Sequence, residues 1–271
     1  MTTYRDKIAI VTGAASGIGL ALCQQLARRG ALVTLVDVDG APLAKAAEAL
    51  ASAGMRARAA VVDVTDRDAV EQLVESAVSE FGRLDLLVNN AGIGVGGEAR
   101  DLAYADWKEV IDVNLFGVIH GVAAAYPLMV RQGCGHIVNV ASVAGLVPLP
   151  GEISYVASKY AVVGLSHTLR AEAADLGVKV SVVCPGKIET PIYETSKIIN
   201  FDREATFALW PTGISPERCA EIILRGVERN KATIVVTRFA KLLWAMQRLS
   251  PTAIAWAMRR YMRRMREHRI E

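Results

Sequence analysis

Short apolar runs alternate with longer amphipathic stretches along most of the chain. The first run, residues 8–12, is apolar without interruption, which is typical of a strand that is buried on both faces. The stretches between the runs repeat their apolar residues at helical spacing. The pattern predicts strands at residues 8–12, 31–37, 59–62, 84–88, 135–140, 178–184 and 233–236. It predicts one helix that begins after residue 19. It predicts further helices at residues 41–53, 66–81, 107–131, 153–176 and 215–228.

This alternation predicts an α/β fold with a doubly wound parallel sheet of the Rossmann type and helices on both faces. Parallel neighbours need right-handed crossovers of about this length. No linker or repeat interrupts the pattern before residue 237, so we expect one domain over residues 1–237. Residues 238–271 form a different segment, a basic amphipathic helical extension.

A glycine-rich turn follows the first strand. Residues 12–19 read Thr-Gly-Ala-Ala-Ser-Gly-Ile-Gly, and a helical pattern begins at once. Glycine lets the backbone approach a pyrophosphate, whose charge favours the amino end of a helix. The spacing differs from Gly-x-Gly-x-x-Gly, and a connection without a ligand gives the same sequence. The predicted cofactor contacts here are Gly13, Ser16, Gly17, Ile18 and Gly19.

Asp37 ends the second predicted strand, about twenty residues after the last glycine. A carboxylate at this place can accept hydrogen bonds from both ribose hydroxyls of an adenosine, and it repels a 2′-phosphate. Ser16 and Val38 supply no compensating cation. We therefore expect NAD as the cofactor rather than NADP. The neighbouring Asp39 leaves open the alternative that Asp37 is a solvated aspartate of a turn without a ligand.

Tyr155 and Lys159 stand one helical turn apart near the start of a predicted helix. A neighbouring cation favours the phenolate, so we expect Lys159 to lower the pKa of Tyr155 and to suit it for proton exchange with an alcohol. Ser142, at the end of the preceding strand, could hold the same oxygen. The motif also occurs at Tyr104 and at Tyr193, and only its context selects the pair at Tyr155.

The composition, 52% hydrophobic and 22% charged residues, is typical of a packed globular protein. Cys23, Cys134, Cys184 and Cys219 form no Cys-x-x-Cys and are interpreted as free core thiols in a reducing compartment. The four histidines share no ligand spacing, so we expect no metal. The amino-terminal apolar run is too short for a signal peptide, which predicts a cytoplasmic protein.

Together these motifs, in their order and spacing, resemble the short-chain dehydrogenase/reductase family of nicotinamide-dependent oxidoreductases over roughly residues 5–236. The resemblance implies that Tyr155 is the general acid/base, that Ser142 binds the substrate oxygen, and that Lys159 binds the nicotinamide ribose. It also implies that Asn114 holds a water of a proton relay, although the residue by itself favours an asparagine at a helix bend. The further cofactor contacts that it implies are Asp63, Val64, Asn90, Ala91, Gly92, Pro185, Gly186, Ile188 and Thr190. Lys187 occupies a position that the motif leaves open.

Residues 191–214 show no clear period and carry many large apolar side chains, which is typical of a lid over a substrate. Simple packing on the domain explains them equally well. Leu146, Val147, Leu149 and Pro150 would line the same entrance and bring no arginine. An apolar or aromatic secondary alcohol or ketone is therefore expected before a sugar or an acid.

The last 34 residues hold nine Lys or Arg against two acids, interleaved with Trp, Leu and Met and interrupted at Pro251. No uncharged run there is long enough to cross a bilayer. Packing on another subunit of a homo-oligomer, a dimer or tetramer, and peripheral contact with an anionic membrane remain open. Nucleic acid is not expected, because no binding fold accompanies the charge.

We therefore predict an NAD-dependent oxidoreductase that transfers a hydride between NAD and a secondary alcohol or ketone. A related enzyme that dehydrates or epimerises is disfavoured by the set of Asn114, Ser142, Tyr155 and Lys159. The alternative from another class is a catalytically silent NAD-binding scaffold or membrane-surface partner.

Overall fold

The computed structural model describes residues 4–270. Within these residues the strands are β1 Ile8–Thr12, β2 Leu32–Asp37, β3 Ala57–Val61, β4 Leu86–Asn89, β5 Val95–Gly96, β6 Gly135–Val140, β7 Val178–Cys184, β8 Lys197–Ile198 and β9 Thr233–Val235. The helices are α1 Gly17–Arg28, α2 Gly40–Ser52, α3 Arg67–Phe81, α4 Tyr104–Ile111, α5 Gly117–Gln132, α6 Ile153–Glu172, α7 Ile192–Thr195, α8 Arg203–Ala208, α9 Pro216–Glu228, α10 Arg238–Leu249 and α11 Pro251–Arg266.

Seven of these strands form one parallel sheet in the order β3-β2-β1-β4-β6-β7-β9. The chain runs outward from β1 to β3 and then returns to place β4 on the other side of β1. This reversal is the place where doubly wound sheets bind ligands, beyond the carboxyl ends of the strands. The predicted fold class, a Rossmann-type parallel sheet, is confirmed.

Helices cover both faces of the sheet. On one face α1 packs against α9, and on the other α3 packs against α5. Two clusters of buried apolar side chains fill the spaces between these layers and the sheet. The strands β1 and β4 are buried along their whole length, which is why their sequences are apolar without alternation.

Element boundaries differ from the prediction by a few residues. The predicted fourth strand began at Leu84, but the amide of Leu84 donates to Gln132 Oε1 at 3.1 Å and so lies outside the sheet. The predicted helix at 107–131 is a continuous helical stretch, Tyr104–Gln132, with a π-helical segment at Asp112–Phe116. This stretch meets the length and hydropathy of a membrane span, yet Val118, Ala125 and Met129 on its inner face are buried within the described protein.

The segment expected as an unstructured lid at 191–214 contains short elements. The helices α7 and α8 flank β8, which pairs with β5 to form a small parallel ribbon. After β9, α10 and α11 follow, and Pro251 occupies the first turn of α11 with Ser250 as its cap. Ile254 and Met265 of α11 are buried, so one face of this extension is part of the domain core. Residue 271 of the predicted tail lies outside the described residues.

Candidate active site

The glycine turn after β1 brings bare backbone to the carboxyl edge of the sheet. Gly13 and Gly17 have φ values of +64° and +54°, which residues other than glycine rarely adopt. A Cβ atom at Gly19 would overlap the carbonyl oxygen of Gly13. The turn can therefore fold against the start of α1 only with glycine at these positions.

Asn90 holds this turn in place from the neighbouring strand. Its Nδ2 donates to the carbonyl oxygens of Thr12 at 2.9 Å and Gly13 at 3.1 Å. The hydroxyl of Thr12 accepts from the amides of Asn90 and Ala91, both at 3.0 Å. The side-chain Nδ2 of Asn90, a residue that the resemblance made a cofactor contact, thus holds the turn.

A cleft of about 790 Å³ opens along the carboxyl ends of the strands. Most of the predicted site residues meet in it, although they come from turns that are far apart in the sequence. The predicted residues that line it are Gly13, Ser16, Gly17, Ile18, Asp37, Asp63, Val64, Asn90, Ala91, Gly92, Ser142, Tyr155, Lys159, Pro185, Ile188 and Thr190.

Three predicted residues do not line the cleft. Gly19 lies beneath the turn, against Gly13. Gly186 faces a second cavity, and a Cβ atom there would overlap the hydroxyl of Thr237. Asn114 lies behind the cleft wall and is fully buried.

Asp37 stands at the rim of the cleft in a fixed orientation. Its Oδ2 accepts from the amide of Ala15 at 3.0 Å, and its Oδ1 accepts from the amide of Asp39 at 3.2 Å. Among the residues that the structure describes, no arginine lines the cleft. The glycine turn and this carboxylate together fit the pyrophosphate and ribose of a dinucleotide.

Ser142, Tyr155 and Lys159 meet at the inner end of the cleft. Ser142 caps a single 3₁₀ turn, where its Oγ accepts from the amide of Ala144 at 3.1 Å, and it lines the cleft together with Tyr155. The Nζ of Lys159 lies 5.4 Å from the ring centre of Tyr155 and donates to the carbonyl of Val140 at 3.1 Å. The strand β6 and the helix α6 therefore place the three side chains together.

Residues 7–198 match the sequence profile of the short chain dehydrogenase family. The chain belongs to this family. It is 40% identical over 223 residues to 3-oxoacyl-[acyl-carrier-protein] reductase FabG of Thermotoga maritima, covering 80% of this chain and 89% of that protein. It is 35% identical over 255 residues to a Mycobacterium tuberculosis protein assigned as the oxidoreductase SadH, covering 92% of each.

Solved structures agree in fold. A short chain dehydrogenase/reductase from Burkholderia phymatum in complex with NAD superposes with a TM-score of 0.85 at 30% identity, over 93% of this chain and 96% of that one. LigD from Sphingobium sp. strain SYK-6 superposes with a TM-score of 0.80 at 29% identity, over 92% of this chain and 97% of LigD. The protein is thus an oxidoreductase of a family that binds NAD or NADP.

In this oxidoreductase, burial has the largest effect on the pKa values of Tyr155 and Lys159. Burial and then the negative charge of Glu152 raise the pKa of Tyr155, while the side chain of Ser142 acts to lower it. Burial lowers the pKa of Lys159 to about 8. The expectation that Lys159 would lower the pKa of Tyr155 is wrong for this structure, because the cost of a buried phenolate outweighs the distant ammonium.

Asn114 occupies the π-helical segment between α4 and α5. Its Oδ1 accepts from the amide of Ile93 at 2.8 Å, and its Nδ2 donates to the carbonyl of Ile93 at 2.9 Å and to Ser158 Oγ at 3.3 Å. The helix irregularity considered for this asparagine is present, and the side chain fastens the loop after β4 to α6. Its part in a proton relay stays a prediction.

A second cavity of about 90 Å³ adjoins the cleft, and Ser142 and Tyr155 line both. Its walls come from β5, from the segment before α6 and from the lid. The apolar residues in them are Val95, Val143, Leu149, Ile192, Ile198, Phe207 and Trp210. Glu152 and Lys187 also line this cavity, and the sequence motifs gave neither residue a role. The signal that could have found Glu152 is its position directly before the predicted helix, three residues ahead of Tyr155.

The carboxyl-terminal extension packs against this second cavity on the same chain. Trp210 Nε1 donates to the hydroxyl of Tyr261 at 3.1 Å. Arg266 and Arg269 hydrogen-bond the carboxylate of Glu98 at 2.9–3.3 Å, and Arg269 also binds Asp101 at 2.7 and 2.8 Å. The sequence left open another subunit or a membrane as the partner of this segment, but one of its faces is covered by its own domain.

Proposed function

We propose that the protein transfers a hydride between NAD and an apolar or aromatic secondary alcohol or ketone. The observation that carries this proposal is that Ser142 and Tyr155 line both cavities. A substrate oxygen held by these two hydroxyls would lie where a dinucleotide in the large cleft meets a small molecule in the second cavity. The names of two relatives, a 3-oxoacyl reductase and a dehydrogenase/reductase of CLA biosynthesis in Lactiplantibacillus plantarum, support carbonyl chemistry.

In the proposed mechanism Tyr155 exchanges the proton of the substrate oxygen while Ser142 holds that oxygen by a hydrogen bond. Bound nicotinamide supplies the hydride chemistry and leaves proton transfer and orientation to the protein. Because burial keeps the Tyr155 phenol protonated, it can act as the acid when a ketone is reduced. Lys159 stands one turn further along α6, where it can reach a ribose in the cleft.

The test of this mechanism is Tyr155→Phe, assayed by absorbance of the reduced cofactor with a panel of aliphatic, cyclic and aromatic secondary alcohols. We expect kcat to fall by roughly 10²- to 10⁴-fold while NAD affinity stays unchanged. Tyr104→Phe is the matched control, because Tyr104 also precedes a lysine by four residues but is 82% exposed. Undiminished turnover in Tyr155→Phe would contradict the mechanism, and NAD binding without turnover in the wild type would favour the silent scaffold.

We propose NAD before NADP because Asp37 is held at the cleft rim by two backbone amides, where it would repel a 2′-phosphate. The relative from Burkholderia phymatum was solved with NAD. We expect Asp37→Ala to weaken NAD and to shift selectivity towards NADP by at least about tenfold, with Asp39→Ala as the control. Selectivity is measured as the ratio of kcat/KM with NAD to kcat/KM with NADP. An equal change of this ratio in both variants would contradict the role of Asp37.

We also propose that the chain forms a homo-oligomer through the outer face of α4, α5 and α6. The helical stretch Tyr104–Gln132 contains an apolar segment of which only 33% is buried, and Phe116 within the stretch is 46% exposed. Light scattering should give a dimer or tetramer, and Phe116→Glu should dissociate it. A monomeric wild type at micromolar concentration would refute this assembly.

For the exposed face of the extension we propose contact with anionic lipid at the cytoplasmic side of a membrane. Leu242, Leu249 and Trp256 are 55%, 86% and 65% exposed there, beside basic residues that form no ion pair within residues 4–270. Sedimentation with anionic and with neutral vesicles tests this contact. Binding that Trp256→Ser does not weaken would refute it.

A further inference from the structure

Glu152 presents a carboxylate to the second cavity without a partner. It precedes α6 as the cap residue, but its side chain does not cap the helix. Within residues 4–270, no hydrogen bond or ion pair of the structure engages that carboxylate, which instead lines the cavity beside Tyr155. An acidic group in this position faces the space that a substrate would fill.

A carboxylate without a partner is costly in such surroundings. Its neighbours in the cavity wall include Leu149, Ile198 and Trp210, which offer it no charge. Burial raises the pKa of Glu152 to about 7, because the charged form is poorly solvated. A ligand that brings a hydrogen-bond donor would remove this cost, whereas an anionic ligand would increase it.

The other titratable groups around Glu152 do not neutralise its charge. Lys187, from the turn after β7, donates to the carbonyl of Phe207 at 3.3 Å and lies 5.7 Å from the ring centre of Tyr193. It forms no ion pair with Glu152 within the described residues. Tyr155 on α6, Tyr193 on α7 and Tyr261 on α11 all have raised pKa values, to about 12 for the last two, and stay neutral near pH 7.

The position of Glu152 relative to Tyr155 defines where the ligand group would be. Glu152 is the cap residue and Tyr155 lies in the first turn of α6, and both side chains line the second cavity. Tyr155 and Ser142 face the junction with the cofactor cleft, and Glu152 lines only the second cavity. A group bound by Glu152 is therefore on the part of a substrate that lies away from the reacting oxygen.

We propose that Glu152 is a specificity residue that binds a hydroxyl or ammonium group carried by the substrate away from its reacting oxygen. The inference rests on the proposed function and narrows its substrate class to apolar secondary alcohols or ketones with a second hydrogen-bond donor. Substrates that bear a carboxylate at that place are rejected.

Four cyclohexanols that differ only at the position opposite the alcohol test this proposal. They are cyclohexanol, trans-1,4-cyclohexanediol, trans-4-aminocyclohexanol and trans-4-hydroxycyclohexanecarboxylate. Their affinities for the protein with NAD are measured by calorimetry, and their oxidation is measured by absorbance. The variants are Glu152→Gln and Glu152→Leu, and Glu194→Gln on exposed α7 is the matched control.

In the wild type and in the control at pH 8, we expect the amine and the diol to bind at least tenfold more tightly than cyclohexanol, and the carboxylate to bind most weakly. Glu152→Leu should remove this order, and Glu152→Gln should keep part of the preference for the diol but lose that for the amine. An order that is the same in the wild type and in Glu152→Leu, or four equal affinities including none detectable, would overturn the proposal.

The pH dependence gives a second readout. Glu152 is largely neutral at pH 6 and charged at pH 8, so the affinity ratio of the amine to cyclohexanol should rise across this range in the wild type. The ratio cancels changes at Lys159, which affect both ligands, and the amine itself stays protonated. The ratio should be flat in Glu152→Gln, and a rise in that variant too would overturn the assignment to Glu152.

Binding and turnover also separate this inference from the proposed function. If cyclohexanols bind in the expected order but none is oxidised, then Glu152 has the proposed role and the proposed hydride transfer to these alcohols fails. If cyclohexanol is oxidised without any preference among the four, the proposed function holds and Glu152 has no role in specificity.

Discussion

The cofactor side and the substrate side of the cleft are built by different means. On the cofactor side, the critical contacts are made to the backbone: Gly19 packs on the carbonyl of Gly13, and the side-chain Nδ2 of Asn90 donates to two main-chain oxygens. On the substrate side, side chains from β5, the lid and the extension meet across long distances in sequence. The cofactor side therefore tolerates few residue types, while the substrate side can change its chemistry one side chain at a time.

The largest effect is expected on the cofactor side, from Gly19→Val. Its Cβ atom would overlap the Gly13 carbonyl, so either the turn or α1 must move. We expect the free energy of unfolding to fall by about 3 kcal/mol and NAD binding to be lost, measured by chemical denaturation and calorimetry.

Gly164→Ala on α6 is the matched control, because nothing lies within 4 Å of a Cβ atom there. Its unfolding free energy should change by no more than about 1 kcal/mol, in the stabilising direction. Similar losses in the two variants would mean that the close approach at Gly19 has no special importance.

A smaller effect is expected where the two sides meet, at Lys159. Burial lowers its pKa to about 8, so between pH 8 and its ordinary value of about 10.4 the unfolded chain binds more protons than the folded one. The contribution of Lys159 to stability therefore rises with pH through this window, by at most about 1.4 kcal/mol per pH unit.

Denaturation of the wild type and of Lys159→Met at several pH values checks this sign. Subtracting one curve from the other cancels the buried cysteines and tyrosines, which titrate in the same range. The advantage of the methionine variant should shrink as the pH rises from 8 to 10. A difference that is independent of pH would show that Lys159 titrates normally.

The smallest effect is expected on the substrate side, from Arg266→Ala combined with Arg269→Ala. These arginines fasten the end of the extension to Glu98 and Asp101, close to β5 and the second cavity. We expect KM for the alcohol to rise about tenfold while the Kd of NAD changes less than about twofold, because only the substrate wall loosens.

Arg259→Ala with Arg260→Ala is the control on the same helix, since these arginines form no ion pair among residues 4–270. It should leave both constants unchanged. If the first pair of substitutions weakened NAD as much as the alcohol, the division into two independently built sides would fail.

The sheet and the cofactor side could be predicted from the amino-acid sequence. Buried parallel strands need continuous apolar runs, and a pyrophosphate turn needs glycine, so both leave local marks that do not depend on the rest of the chain. For the same reason the sequence was enough to assign Gly13, Gly17 and Asp37 to one site, and they do line one cleft.

The substrate side and the proton affinities, in contrast, depend on how the chain folds. The lid gave no periodic signal because its elements are short, and the extension looked like a surface for a partner because its buried face is completed by Trp210 and Glu98 far away in sequence. Burial raises the pKa of Tyr155, and the fold places Glu152 in the wall of the second cavity. No sequence motif indicates either feature. Long-range contacts and desolvation depend on which segments meet, and that is a property of the folded chain.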